Sequence, residues 1–203
     1  MNASPLTIPE QPANDMRLAG NKAWMRGLFS GFNGNMSIRM LLAGEQHALV
    51  TATGAVKSEL TLRDFSLVRL ADGQCVAGGT PSSEFAMHRA IYATQCGAVA
   101  IMHTHPPKLL TLFALLPPEK RLLMPIHEAT PLRARLAFAP EFPPGTKDLA
   151  RAVAKLAATH EAVWMEKHGL MVWGATLAAA GALSEELEHL AGIQLALHVH
   201  TKQ

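Results

Sequence analysis

The sequence predicts an α/β chain in which antiparallel hairpins stand beside amphipathic helices. Three observations carry this. Strand-like runs at 36–42 and 47–51 flank Gly44-Glu45, and runs at 65–70 and 74–77 flank Asp72-Gly73, a strong hairpin signal. Leu149, Val153 and Leu156 recur at helical spacing. Ala98-Val99-Ala100-Ile101-Met102 is a short apolar run of the kind that forms a buried strand.

Taken in order, residues 1–13 contain Pro5, Pro9 and Pro12 and predict an extended arm. Asn14 or Asp15 then caps a helix running to about residue 29, with Leu18, Met25 and Leu28 on its inner side. Residues 30–35 form a turn-rich loop before the first hairpin, and the second strand ends at Thr53-Gly54. Residues 57–64 predict a polar connection or short helix into the second hairpin. Pro81 suits the first position of a helix capped by Thr80 and running to about residue 94, with Phe85, Ile91 and Tyr92 facing inward.

The apolar strand at 98–102 follows, then a helical stretch at 109–116. Residues 117–145 are proline-rich and carry no clear pattern. Thr146 opens a helix to about residue 160. Two apolar strands surround His168-Gly169, and Thr176 caps a long Ala/Leu-rich helix to about residue 198. No repeat or linker divides the chain, so one domain over 1–203 is expected, the arm at 1–13 included.

The composition excludes several classes. Hydrophobic residues make up 49% and charged residues 17%, which is globular rather than disordered. A net charge of +2, with no basic stripe, gives no argument for nucleic acid. The N-terminus lacks the pattern of a signal peptide, and no apolar stretch approaches the roughly 20 residues of a membrane span. Cys75 and Cys96 form no disulfide framework, so a cytoplasmic setting is expected.

The chemistry concentrates between Gly79 and Pro107. In a strand, residues two apart share a face, so His103 and His105 point the same way and Thr104 points the other. A His-x-His pair alone is more often two polar residues at a strand end. A third histidine, His168 in its glycine turn, makes a divalent-metal site the stronger reading. Three neutral imidazoles around Zn²⁺ leave a fourth position for water or substrate, the mark of a catalytic site. The other histidines, His47 and His88 among them, read as surface or helix residues.

A helix starting at Pro81 would leave backbone N–H groups unpaired beside the hydroxyls of Ser82 and Ser83. That is an anion site suited to phosphate. Thr53-Gly54 and Gly34-Asn35 are further small polar loops at strand ends, able to approach the same anion. Taken singly, each also fits an ordinary cap or turn. Glu84 complements a helix dipole, or it serves as general acid/base beside the metal.

Pro81-Ser82-Ser83-Glu84, His103-x-His105-Pro106, His168-Gly169-Leu170, Gly34-Asn35 and Thr53-Gly54 occur in an order that resembles the class II aldolase/adducin family. The resemblance spans roughly residues 16 to 200. Enzymes of this family include fuculose-phosphate aldolase, ribulose-phosphate epimerase and methylthioribulose-phosphate dehydratase.

The resemblance implies a three-layer α/β/α fold around a central, mainly antiparallel sheet. It implies Zn²⁺ held by His103, His105 and His168. It places a substrate phosphate on Asn35, Thr53, Gly54, Ser82 and Ser83, and makes Glu84 the proton-transfer residue. It implies a homotetramer with the site at a subunit boundary. The expected reaction is reversible aldol cleavage of a small phosphorylated ketose to dihydroxyacetone phosphate and an aldehyde. Dehydration of methylthioribulose 1-phosphate is the alternative, and a non-catalytic adducin-like module ranks last. The epimerases tend to carry Asp where Glu84 stands, and retained histidines argue for an enzyme. The aldolase members carry a tyrosine after the His-x-His strand. Here the sole tyrosine is Tyr92, and His127 and Glu128 occupy that segment.

Overall fold

A computed structural model of the chain describes residues 6–200. One eight-stranded sheet runs through it. Its strands are β1 (Asn35–Leu42), β2 (Glu45–Thr51), β3 (Phe65–Arg69), β4 (Cys75–Gly78), β5 (Ala100–Thr104), β6 (Leu136–Ala139), β7 (Ala162–Met165) and β8 (Gly169–Gly174). Their order across the sheet is β4-β3-β2-β1-β5-β8-β7-β6. All neighbours pair antiparallel except β6 and β7, which are parallel. The sheet is therefore mixed and mostly antiparallel.

The helices are α1 (Glu10–Met25), α2 (Phe85–Thr94), α3 (Pro107–Leu115), α4 (Ala129–Ala134), α5 (Lys147–Ala157) and α6 (Leu177–His200). Helix α5 makes the crossover that the parallel pair β6–β7 requires.

Strand alternation builds two cores. Leu49, Met102, Leu170 and Val172 join Met16, Leu109 and Leu187 under α1, α3 and α6. Val50, Ile101, Val163 and Met171 join Ile91 and Val153 under α2 and α5. Neighbouring residues of one strand thus serve opposite faces, and the result is an α/β/α sandwich.

Several expectations hold. Both early hairpins form where the turn signals lie. Thr146 caps α5 by accepting the Leu149 N–H at 3.3 Å, and Thr176 caps α6 by accepting from Ala179 at 3.0 Å. Helix α3 falls where the apolar run lies, its free N–H groups at Lys108 and Leu109 satisfied by Glu188 of α6, each at 2.9 Å.

Others are corrected. The part of the expected arm at residues 1–5 lies outside the described residues. The first helix begins at Glu10 rather than at residue 15, with Pro9 as its cap and Pro12 in its first turn, where a missing N–H costs nothing. Its buried side is Ala13, Met16, Gly20 and Ala23, while Leu18 and Met25 are exposed. The helix expected from Pro81 begins at Phe85 instead. Pro81 forms a β-bridge with Ala52, and the Ser82 N–H donates to Thr51 O at 3.2 Å. The C-terminal end of β2 claims these backbone groups before a helix can start. His47 and His88, read as surface or helix residues, are both fully buried, His88 on the inner face of α2.

Candidate metal centre and anion pocket

Strand β5 lies between β1 and β8 near the middle of the sheet, hydrogen-bonded on both edges. Its C-terminal end carries His103 and runs directly into His105. His168 comes from the β7–β8 turn, where Lys167 adopts φ 58° and the His168 N–H returns to Met165 O. Gly169 lets β8 approach. A Cβ there would stand 2.6 Å from Thr104 O and 3.1 Å from His103 Cε1. Gly34 is required for a like reason, since at φ +72° a Cβ would collide with His103 O and stand 2.7 Å from Phe29 Cε1.

The three imidazoles converge. The Nε2 atoms of His103 and His105 lie 3.0 Å apart, and the ring centroids of His103 and His168 are 4.8 Å apart. One ligand atom from each of the three lies within 4.8 Å of the others. His103 Nδ1 lies 3.1 Å from Leu170 O, which turns Nε2 toward the other rings and Glu84. Glu84 closes the ring, with Oε2 3.3 Å from His103 Nε2 and Oε1 3.1 Å from His168 Nε2.

The donor set fits a divalent cation. Two imidazole nitrogens at 3.0 Å cannot both present lone pairs to each other without a cation or proton to share. Burial, then the charges of His103 and His168, push the His105 pKa down to about 3. It is therefore neutral at pH 7, the state a ligand needs. Burial disfavours ionised Glu84, but hydrogen bonds from His103 and His168 and their charge outweigh it and hold the carboxyl below its usual range.

Beside the imidazoles lies a cavity of about 260 Å³. Asn35, Thr53, Gly54, Ser82, Ser83, Glu84, His105 and His168 all line it. The sequence-predicted residues are therefore brought to one place, with His103 just beneath. The Thr53 hydroxyl and N–H tie its loop to Pro81 O and Thr80 O, both at 2.9 Å, so the two expected phosphate loops are one unit. A larger groove of about 580 Å³ lies between α1 and α6, but it is mostly apolar and contains none of the imidazole cluster. Converging ligands, not size, mark the site.

Behind Glu84 runs a buried polar chain that sequence reasoning missed. Asn35 donates to Glu84 Oε2 at 3.0 Å and accepts from His88 Nε2. His88 Nδ1 and Ser37 Oγ are 2.8 Å apart, as are Ser37 Oγ and the Tyr92 hydroxyl. Burial, with the charge of His103, pushes the His88 pKa down to about 3, so its ring is neutral with Nε2–H as donor. The spacing 88 to 92 on one helix face was visible in the sequence, but nothing there tied it to Asn35. Tyr92 is thus committed behind the site. His127 and Glu128 are exposed and do not line the cavity. Lys57 does line it, from a stretch read as a polar connection.

The family described as Class II Aldolase and Adducin N-terminal domain matches residues 14–195. The chain belongs to this family. Among class II aldolase relatives, it is 31% identical over 188 residues to a 3-oxo-tetronate 4-phosphate decarboxylase of Pectobacterium atrosepticum, covering 92% of this chain and 84% of that one. It is 31% identical to a methylthioribulose-1-phosphate dehydratase of Serratia proteamaculans, covering 84% and 85%. The crystal structure of L-fuculose-1-phosphate aldolase from Thermus thermophilus superposes with a TM-score of 0.79 at 26% identity, covering 96% and 97%. No helix among the described residues is long and apolar enough to cross a membrane.

Proposed function

We propose that this protein is a zinc-dependent lyase for a small phosphorylated sugar or sugar acid, with decarboxylation of a 3-oxo-tetronate 4-phosphate as its leading reaction. The observation that carries the lyase reading is the convergence of His103, His105, His168 and Glu84 at the edge of a cavity lined by hydroxyl and amide groups. The sequence alone ranks aldol cleavage first. Relatives named as decarboxylases move decarboxylation ahead.

His103, His105 and His168 would hold the ion. Bound there, zinc supplies Lewis-acid stabilisation of negative charge on a substrate carbonyl oxygen. Ser82, Ser83, Thr53, Gly54 and Asn35 take the phosphate through hydroxyl, amide and backbone donors. That anchors the far end of the substrate and sets its reacting carbon against Glu84. In decarboxylation the bond to the carboxylate breaks, CO₂ leaves, and the carbon left behind takes a proton. Glu84, ionised at rest, is the group placed to relay that proton from solvent to the carbon.

This reaction asks for one proton relay, at carbon, and the cavity offers that group. Aldol cleavage is the second reading, favoured by relatives named as fuculose phosphate aldolases. It needs a further acid/base at the aldehyde oxygen, to take the hydroxyl proton in cleavage and return it in synthesis, and Tyr92 is occupied behind the site. A fourfold assembly and a cytoplasmic setting belong to the proposal as well.

The test is a panel of 3-oxo-tetronate 4-phosphate, fuculose 1-phosphate and methylthioribulose 1-phosphate with zinc-loaded protein. CO₂ release from the first, faster than turnover of the others, is the expected result. Dihydroxyacetone phosphate from fuculose 1-phosphate, without CO₂ release from the first, would transfer the assignment to aldol cleavage.

A further inference from the structure

Lys57 has no task in that chemistry, yet its placement is costly. Its side chain is 2% exposed. The ammonium donates to Phe32 O at 2.9 Å and Ala55 O at 2.8 Å. Both acceptors are neutral carbonyls, and among the described residues no ion pair includes Lys57. A buried cation without an anion is unfavourable unless something repays the lost hydration.

The two carbonyls do not repay it. A neutral donor would satisfy them without burying a charge. An ammonium has three N–H groups, and two are used. Lys57 lines the same cavity as Gly34, Thr53, Gly54 and Ser82. Its two acceptors lie on the loops that carry Gly34 and Gly54, so its head is fixed between the two walls of the anion pocket. Burial draws its pKa down to about 8, with Glu84 opposing, so it remains charged at neutral pH.

The pocket's other donors are hydroxyls and amides. They bind a phosphate or a sugar hydroxyl alike. A fixed cation discriminates, because its attraction grows with ligand charge and is stronger where water is excluded. We propose that Lys57 is the buried counter-charge of the pocket and sets its preference for a phosphate dianion over a neutral group. This rests on the reading above that the cavity takes a phosphorylated substrate.

The experiment measures inorganic phosphate binding to the zinc-loaded full chain by calorimetry at pH 7.5. The wild type, Lys57→Met and Lys57→Gln are compared, and zinc content confirms an intact site in each. The expected result is phosphate binding by the wild type, at least tenfold weaker in both variants, with one zinc per chain throughout. Lys57→Gln keeps an N–H donor group without the charge and serves if Lys57→Met does not fold. The slope with pH extends the test: between pH 7.5 and 9.5 the wild type loses phosphate affinity more steeply than Lys57→Gln, because only the wild type has Lys57 to deprotonate. Variants that bind phosphate as tightly as the wild type would overturn the role of Lys57 and leave the cavity reading intact. A wild type that binds no phosphate would overturn the cavity reading first, and the inference with it.

Discussion

The side-chain amide of Asn35 donates to Oε2 of Glu84 at 3.0 Å, and its carbonyl oxygen is held in turn by His88. The pair fixes which way each group faces. Because His88 Nε2–H occupies Oδ1, the amide cannot flip, and its N–H must stay on the carboxylate. Glu84 is thus oriented by a chain that reaches the hydroxyl of Tyr92. Such supporting hydrogen bonds commonly matter by about 10–100-fold around metal sites.

His88→Ala should therefore lower kcat by about 10–100-fold. It should retain zinc and shift KM little, since His88 does not line the cavity. Loss of the buried hydrogen bonds should also cost about 1–3 kcal/mol of stability. Steady-state kinetics beside a denaturation curve measures both. Unchanged kcat in a folded His88→Ala protein would show that the chain serves packing alone.

The metal centre makes a direct prediction. Purified protein should carry one zinc per chain, and His103→Ala should lose it. Elemental analysis after dialysis reads the outcome. Full retention of metal in that variant would dismiss the ligand set.

The phosphate loops give a third. Ser82→Ala with Ser83→Ala removes two hydroxyl donors, each contributing about 0.5–3 kcal/mol. KM for the phosphorylated substrate should rise by about tenfold or more with zinc unchanged. A double variant with wild-type KM on every active substrate would remove these serines from binding.

Glu84→Gln should keep zinc and lose proton transfer at carbon. Wild-type protein should exchange a hydroxymethyl proton of dihydroxyacetone phosphate with deuterium from solvent, and the variant should not. Nuclear magnetic resonance follows this exchange without requiring the full reaction. Exchange at the wild-type rate in Glu84→Gln would clear Glu84 of its role.

Lys57 predicts opposite trends in stability and binding above pH 8. Its folded pKa of about 8 lies below its ordinary value of 10.5. Between those values the unfolded chain binds more protons than the folded one, so stability contributed at this position rises with pH. Phosphate affinity falls over the same window. Lys57→Met should lack both slopes, which denaturation curves at pH 8 and 10 would reveal by difference from the wild type.

Much of the site was legible because its signals are local. Period-two spacing gave the shared face of His103 and His105, and Gly169 marked the turn that presents His168. The start of α2 was not legible, because Pro81 and Ser82 answer to Ala52 and Thr51 at the end of β2 rather than to helix rules. Strand β6 was hidden in a proline-rich stretch whose four-residue run is too short to show a period. The burial of Lys57, His47 and His88 was invisible too. A charged or polar residue on a helix or connection reads as exposed until the partner that buries it is placed.

The hydrogen bond from His103 to Leu170 joins residues 67 positions apart in the chain. Until β8 slots in beside β5, the unfolded chain offers at most the His103–His105 pair, a weak chelate. Closing so long a segment is slow compared with forming either local hairpin. Tight zinc uptake during refolding should therefore lag behind helix formation and coincide with the last long-range strand pairing. The ion would then act as a timer for completed folding, captured late and released early when the β5–β8 seam opens.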